Sequence, residues 1–120
     1  IPLVAITSTD NSIERACKKA KGFIYCISLL GVTGARSSMS TRVEGLVNKV
    51  RQFTNLPIAV GFGISSTDHV SEVARFADGA VVGSQMINTL ADGNSDEAAE
   101  RVGGYIQSLI PGTTRKVVAN

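Results

Sequence analysis

The sequence predicts an α/β fold of four strand–helix units with parallel strands, and it favours half of a TIM (β/α)8 barrel. Short apolar runs alternate with segments in which apolar residues recur at helical spacing. Strands that alternate with helices form parallel sheets. Two consecutive runs end in glycine turns, and a short helix follows the second turn. A phosphate site built from the last two strand–helix loops and a short extra helix recurs in barrels. An open doubly wound sheet of four strands is the alternative architecture.

The four apolar runs are the predicted strands, and they cover residues 1–6, 23–28, 58–62 and 80–82. The first run is apolar almost throughout, which predicts a strand buried on both faces of a parallel sheet. In the second run, a period of two places Phe23, Tyr25 and Ile27 on one face. The first and last strands are open edges, which must be paired or covered.

Helical segments follow each strand, and three of them open with a polar side chain followed three residues later by an acid. This pattern predicts helix starts at Asn11, Thr41 and Ser65. A short helix is predicted from Ser84, and the last helix closes at Pro111. The apolar stripes comprise Ile13, Ala16, Cys17 and Ala20; Val43, Leu46, Val47, Val50 and Phe53; Val70, Val73, Ala74 and Ala77; and Val102, Tyr105, Ile106 and Leu109.

Length and composition predict one domain. The chain has 120 residues and a net charge of +2, with residues 1–112 as the body and 113–120 as a tail. Lysines 18, 19 and 21 cluster without interleaved aromatic residues, so we expect no nucleic-acid binding. No apolar run approaches the length of a membrane span, so we expect no membrane association. Because residues 1–6 already read as a strand interior, we expect a piece of a longer protein.

The two cysteines, Cys17 and Cys26, fit neither a metal site nor a CxxC redox pair. One lies in a helical pattern and the other in an apolar strand. We therefore expect buried free thiols, a reducing compartment and a cytoplasmic location. No metal ion is expected.

Glycine turns are the main functional signal. The central one is Gly61-Phe62-Gly63, and similar turns occur at residues 30–35 and 81–86. Glycine lets the backbone N–H groups approach a ligand closely, and a helix N-terminus after such a turn attracts anions. Three turns at one end of a parallel sheet predict a phosphate held by several loops.

The acidic residues offer no catalytic pair. Most lie at helix starts or on helix exteriors, away from the strand ends where barrel enzymes place catalytic groups. Asp10 is the nearest to a strand end, and we expect it to cap a helix. His69 is expected to be a solvated surface residue. Ser84 has no neighbouring base, so we expect it to bind phosphate rather than act as a nucleophile. The ten acids are Asp10, Glu14, Glu44, Asp68, Glu72, Asp78, Asp92, Asp96, Glu97 and Glu100.

Two aromatic residues fall near the carboxyl ends of predicted strands. Tyr25 and Phe62 are there either to pack the barrel core or to form a flat apolar wall for a ligand. Their position beside the glycine turns keeps both interpretations open.

Four blocks of this sequence resemble the second half of the tryptophan synthase alpha chain family. They are residues 22–28, 31–35 and 61–65 and the pair Gly83-Ser84, in matching order and spacing over nearly the whole chain. The block from Gly22 to Ala35 is the most specific. The resemblance implies the C-terminal half of a TIM barrel that cleaves indole-3-glycerol phosphate into indole and glyceraldehyde 3-phosphate. It implies no cofactor in this chain, and a beta chain or domain that uses pyridoxal phosphate as partner.

The resemblance also implies residue roles. The phosphate would be bound by Gly34, Gly63, Gly83 and Ser84. Phe62 would contact the indole ring, and Tyr25 would lie on the side of the pocket that holds the catalytic base. Residues 30–40 would form a mobile loop that closes over the substrate, with Thr33 contacting a catalytic aspartate.

The family's catalytic glutamate and aspartate belong to the first half of the barrel, and no acid of this chain matches them. We therefore expect no catalytic residue here and an inactive isolated chain. Two alternatives remain open: a half-barrel phosphate-binding module that dimerises without catalysis, and another phosphate-binding barrel enzyme that acts on ribulose or histidine precursors.

Overall fold

The chain forms one parallel sheet of four strands that follow one another in chain order. The computed structural model describes residues 1–27, 36–61 and 63–114, and for residues 36–40 it describes the backbone alone. Each strand pairs with its neighbours in the sequence. The strands are β1 (Leu3–Ala5), β2 (Ile24–Ile27), β3 (Ile58–Gly61) and β4 (Gly79–Ala80).

Helices follow the strands as the periodicity predicts, so the alternation of strands and helices is confirmed. A 3-10 turn at Ser95–Glu97 precedes the last helix, and another at Ile110–Thr113 follows it. Within the described residues, no helix is both long and apolar enough to cross a membrane. The α-helices are α1 (Asp10–Lys19), α2 (Arg36–Arg51), α3 (Thr67–Ala74), α4 (Ser84–Ala91) and α5 (Ala98–Leu109).

The two faces of the sheet differ in burial. Buried and half-buried residues alternate along β2 and along β3, as a period of two requires. The buried face meets α1, α2 and α3, whose apolar stripes complete the core. This core comprises Val4, Ile24, Cys26, Ile58 and Val60 from the sheet and Ile13, Cys17, Val43, Leu46, Val47, Val50, Val70 and Val73 from the helices. Both cysteines are buried free thiols, as expected.

The opposite face of the sheet carries Tyr25 and Ile27, which are half-buried. The prediction of a first strand buried on both faces is wrong. Leu3 is 65% exposed while its neighbour Val4 is 3% exposed. The apolar run could not show this, because a strand covered on both faces and a strand covered on one face can share the same composition.

The start of α1 differs from its prediction. The helix begins at Asp10, and the side chain of Thr9 caps it by accepting a hydrogen bond from the Ser12 N–H at 3.2 Å. Neither Asn11 nor Asp10 is the cap. Asp10 lies in the first helical turn, where a carboxylate favours the helix dipole, and pairs with Lys49 at 2.9 Å.

The start of α2 is also earlier than predicted. The helix begins at Arg36, so Thr41 is an interior residue rather than a cap. The expected loop over residues 30–40 is therefore wrong for residues 36–40, and residues 30–35 lie outside the described part. Residues 36–40 carry only Met39 as an apolar side chain, so periodicity could not find these turns.

The end of α5 docks against the start of α3. Thr67 Oγ1 donates a hydrogen bond to the Ser108 carbonyl. Gly112 is buried in the following turn, where an added Cβ would lie 2.5 Å from the Thr67 carbonyl oxygen and 3.0 Å from Ser71 N. Glycine is required here by close packing. Thr113 belongs to this turn, residues 115–120 lie outside the described part, and the boundary at residue 112 stays a prediction.

An ion-paired cluster joins three elements at the amino end of the sheet. Arg51 at the end of α2 donates to the Phe76 carbonyl at 3.0 Å and to Asp78 Oδ2 at 3.2 Å. The same carboxylate oxygen accepts from the N–H of Ile58, the first residue of β3, at 3.0 Å. Side chains thus satisfy the Phe76 carbonyl after α3 and the Ile58 N–H at the start of β3.

Candidate functional site

A cavity opens at the carboxyl ends of the parallel strands, where ligand sites of α/β sheets lie. Its volume is about 390 Å³. Within the described part of the chain, no acidic side chain lines it. The lining residues come from the ends of β2 and β3, the two loops that follow β3 and β4, and the first five residues of α4. They are Tyr25, Ile27, Gly61, Gly63, Ile64, Ser65, Val81, Gly83, Ser84, Gln85 and Asn88.

Tyr25 forms one wall of this cavity because Gly61 leaves room for its ring. The two residues lie on neighbouring strands. Tyr25 pairs with Ala59, which lies two positions before Gly61. A Cβ at Gly61 would collide with the Tyr25 hydroxyl and would lie 3.1 Å from Cζ and 3.3 Å from Val81 Cβ. Gly61 is therefore required because the Tyr25 ring lies directly against its backbone, and the glycine determines where the phenol group lies.

The loop after β3 provides the second wall. Gly63 has a φ of +60°, the left-handed region that glycine adopts at little cost. An added Cβ there would meet nothing within 4 Å. The helix cap that follows is Ser66, whose side chain accepts from the His69 N–H at 3.3 Å. The prediction of Ser65 as the cap is wrong by one residue.

Ser65 has a different set of partners. Its N–H donates to His69 Nδ1 at 3.1 Å, and its carbonyl accepts from the Tyr105 hydroxyl at 2.7 Å. The Ser65 hydroxyl lies 3.3 Å from the same His69 nitrogen. His69 is half-buried, so its prediction as a solvated surface residue is wrong. Burial raises the pKa of the Tyr105 phenol, which keeps the hydroxyl a donor well above neutral pH.

The third wall is the start of α4. Gly83 occupies the N-cap and makes no side-chain capping bond. The first hydrogen bond of the helix runs from the Ile87 N–H to the Gly83 carbonyl at 3.1 Å. The N–H groups of residues 84–86 come before it, so the helix itself provides no acceptor for them. The partial positive charge of a helix start is thereby turned to the cavity beside the Ser84 hydroxyl.

Arg101 secures the other end of α4. Its guanidinium donates to the carbonyls of Thr89 and Leu90 at 3.1 and 2.8 Å, and to that of Asn94 at 2.8 Å. The carbonyls of Thr89 and Leu90 belong to the last turn of α4, where a helix C-terminus leaves such groups unpaired. No local sequence pattern indicates this role of Arg101, because only the turn at residues 92–97 brings it back over α4.

The structure brings together four of the seven predicted site residues, Tyr25, Gly63, Gly83 and Ser84, in one cavity. The predicted roles of Thr33, Gly34 and Phe62 lie outside the described residues. Among the described residues, no cluster of three or more metal-ligating side chains occurs. Gln85 and Asn88 were not predicted as site residues, although Asn88 lies four residues after Ser84 on the same face of the helix.

Solved structures define the class of protein. The chain matches a crystal structure of tryptophan synthase from M. tuberculosis with a TM-score of 0.77 and 26% identity, covering 94% of this chain and 39% of that one. It matches the tryptophan synthase alpha subunit of Campylobacter jejuni with a TM-score of 0.72 and 36% identity, covering 83% and 40%. The chain is thus part of a TIM barrel, as the sequence predicts.

The family follows from the sequence comparisons. The family model described as tryptophan synthase alpha chain matches residues 1–109. The tryptophan synthase alpha chain of Chloroflexus aggregans is 44% identical over 115 residues, which are 96% of this chain and 43% of that protein. This chain belongs to the tryptophan synthase alpha chain family, and it spans less than half the length of this relative.

Proposed function

We propose that this chain is the phosphate-binding half of a lyase that cleaves indole-3-glycerol phosphate into indole and glyceraldehyde 3-phosphate. The observation that carries the proposal is the cavity at the strand ends, which combines two glycine turns with an uncapped helix start and has no lining acid among the described residues. Such a surface suits a dianion, and its described residues offer no carboxylate for moving protons.

The phosphate group would lie between the loop after β3 and the start of α4. The N–H groups of residues 84–86 and the Ser84 hydroxyl would donate to its oxygens, and Gly63 leaves space for them. Each charge–dipole contact of this kind contributes about 0.3–1 kcal/mol at an exposed helix start. Gly34 would add a donor from the loop after β2.

The indole ring would lie against Tyr25 and Phe62. Tyr25 is half-buried in the cavity wall and presents a flat face. Thr33 and its loop would close over the substrate and exclude water, which strengthens the polar contacts beneath.

Cleavage of the carbon–carbon bond requires an acid and a base placed beside the indole and the glycerol chain. Within the described residues, four of the ten acids form ion pairs away from the cavity, such as Glu44 with Arg75 and Asp78 with Arg51. The two catalytic carboxylates would come from an N-terminal half barrel that pairs with this one. Indole would pass to a beta chain or domain that carries pyridoxal phosphate, and this chain would need no cofactor.

Titration with glycerol 3-phosphate and with glycerol tests the binding. We expect saturable binding of the phosphate ester, none of glycerol, and roughly 10-fold weaker binding after Ser84→Ala, because one charge-assisted hydrogen bond is lost. Ser95→Ala, in the 3-10 turn before α5, removes a hydroxyl elsewhere and is the matched control. Equal binding of glycerol would refute a phosphate site.

Turnover of indole-3-glycerol phosphate tests the division of labour. Indole release is followed by chromatography with this chain alone and after addition of the complementary N-terminal half. We expect release only with both halves. Indole release by this chain alone would overturn its assignment as the binding half.

A second candidate is a phosphate-binding module that dimerises through its open edges. The exposure of Ile1 and Leu3, 70% and 65%, favours a covered β1 edge. Analytical ultracentrifugation of the folded chain decides whether a second copy covers the β1 edge, because a folded monomer excludes the dimer.

Another phosphate-binding barrel enzyme is the remaining alternative. Family membership favours indole-3-glycerol phosphate as ligand over the precursors of other barrel enzymes. Competition between this ester and a plain sugar phosphate measures the preference for the indole group.

A further inference from the structure

Both main-chain polar groups of Ser65 are held by side chains from other parts of the chain. The N–H donates to His69 Nδ1 at 3.1 Å, and the carbonyl accepts from Tyr105 Oη at 2.7 Å. His69 lies in the first turns of α3, and Tyr105 lies in α5. The Ser65 peptide is therefore fixed from two helices at once.

The two side chains that hold Ser65 lie behind the cavity rather than in it. Ser65, Ile64 and Gly63 line the cavity, whereas His69 and Tyr105 do not. All three residues of the clamp, Ser65, His69 and Tyr105, are half-buried, so water competes only partly for their hydrogen bonds. The hydrogen bonds of Nδ1 of the histidine and of the tyrosine hydroxyl reach the cavity wall at Ser65.

We propose that His69 and Tyr105 are positioning residues that preorganise the Gly63–Ser65 wall of the site for a phosphate ester. This inference rests on the proposed function and deepens it. A loop already held in its binding conformation loses less conformational entropy when the ligand arrives. The Ser65 N–H donates to His69, so the donors that this loop would offer to an anion are the backbone N–H groups that precede Ser65.

The chemistry of the clamp defines the substitutions. Nδ1 accepts a hydrogen bond, so the ring carries its proton on Nε2. His69→Asn places an amide oxygen where Nδ1 lies and keeps the acceptor, whereas His69→Phe keeps a ring and removes it. Tyr105→Phe removes only the donor to the Ser65 carbonyl. Ser108→Ala removes a hydroxyl from the exposed side of the same helix, where it bonds within α5, and is the control.

The experiment measures the affinity of the full chain for glycerol 3-phosphate by calorimetric titration, at a temperature where every variant is folded by circular dichroism. We expect Tyr105→Phe and His69→Phe each to weaken binding about 3- to 10-fold, the range of one net hydrogen bond. His69→Asn should bind within about twofold of the wild type, and so should Ser108→Ala. The double variant should lose less than the product of the two single losses, because both bonds hold one peptide.

A purely structural role would lower the melting temperature of the variants and leave the affinity of the folded protein unchanged. That result, or equal losses for His69→Asn and His69→Phe, overturns the inference. If His69→Phe does not fold, Tyr105→Phe and the comparison of His69→Asn with the wild type decide. Failure of the proposed function looks different: the wild type would not bind glycerol 3-phosphate at all, and the inference would fall with it.

Discussion

The two ends of the sheet differ in whether side chains satisfy the polar groups of the backbone. At the amino end, the side chains of Arg51 and Asp78 satisfy the backbone groups of Ile58 and Phe76. At the carboxyl end, Gly63 and Gly83 stand where side chains could have filled the space, and the N–H groups at the start of α4 have no side-chain cap. At the amino end these side chains pair with the backbone, whereas at the carboxyl end the start of α4 has no side-chain cap and lies at the cavity.

The proposed phosphate site lies beside the uncapped start of α4, so stability and binding would depend on different residues. A glycine at the N-cap costs about a few tenths of a kcal/mol relative to serine or threonine. The molecule accepts that cost at α4 and avoids it at α1 and α3, whose caps are Thr9 and Ser66. We therefore expect substitutions at the two ends to separate cleanly into effects on affinity and effects on the free energy of unfolding.

Gly83→Asp should have the largest effect, and only on binding. The new carboxylate would accept hydrogen bonds from the start of α4 and would repel a phosphate. We expect affinity for glycerol 3-phosphate to fall roughly 10- to 100-fold, because like charges about 4 Å apart near a surface repel by up to ~4 kcal/mol. The melting temperature should stay the same or rise slightly. Calorimetric titration and thermal denaturation measure the two quantities.

The control for this variant is Gly104→Asp, which adds the same charge on the exposed side of α5 where a Cβ meets nothing within 4 Å. Its affinity should remain near that of the wild type. A Gly83→Asp variant that unfolds readily, or one that binds as the wild type does, would break the contrast between the two ends.

Asp78→Ala should show the reverse pattern. It removes the acceptor shared by Arg51 and the Ile58 N–H. We expect the free energy of unfolding to fall by about 1–2 kcal/mol, with most of the loss from the unpaired backbone N–H, because half-exposed ion pairs contribute little. Urea denaturation measures it, with Asp96→Ala in the 3-10 turn as the control. A change in phosphate affinity would contradict the separation.

Gly112→Ala tests whether the packing of α5 on α3 is as tight as its contacts indicate. The added methyl would lie 2.5 Å from the Thr67 carbonyl oxygen, so the free energy of unfolding should fall by about 1–2 kcal/mol. Gly104→Ala, in an open helical position, should instead raise it by up to ~1 kcal/mol. Equal effects of the two substitutions in urea denaturation would refute the tight contact.

The stability of the chain at alkaline pH tests the core between the two ends of the sheet, where Cys26 is fully buried. Burial above all, with the nearby Cys17, raises the pKa of the Cys26 thiol to about 12 from 9.0, although Arg51 opposes this. Between these values the unfolded chain loses this proton and the folded chain keeps it. The free energy of unfolding should therefore fall by up to about 1.4 kcal/mol per pH unit above pH 9.

Cys26→Ala should lack this part of the slope, although it is less stable at neutral pH because it leaves a cavity. The measurement is urea denaturation of both proteins from pH 8 to pH 10.5, compared as a difference so that other titrating groups cancel. Identical slopes for the two proteins would show that the buried thiol ionises as easily as an exposed one.

The residues show why some predictions held and others failed. The stripe from Val43 to Val50 is buried as its helical spacing predicts, because periodicity reports which side of a helix meets the core. The cap of α3 is Ser66 rather than Ser65, because adjacent serines present the same capping pattern and only the backbone conformation selects one. The Tyr105–Ser65 bond joins residues 40 positions apart, and no local pattern indicates it.

Local spacing and local backbone freedom suffice to predict the order of strands and helices, the buried stripes and the glycine turns. The folded chain alone reveals that β1 exposes Leu3, that Asp78 accepts hydrogen bonds from Arg51 and Ile58, and that His69 and Tyr105 hold the Ser65 peptide. These contacts depend on the distance and direction between elements that are remote along the chain. The packing of helices on the sheet sets both, and composition does not encode them.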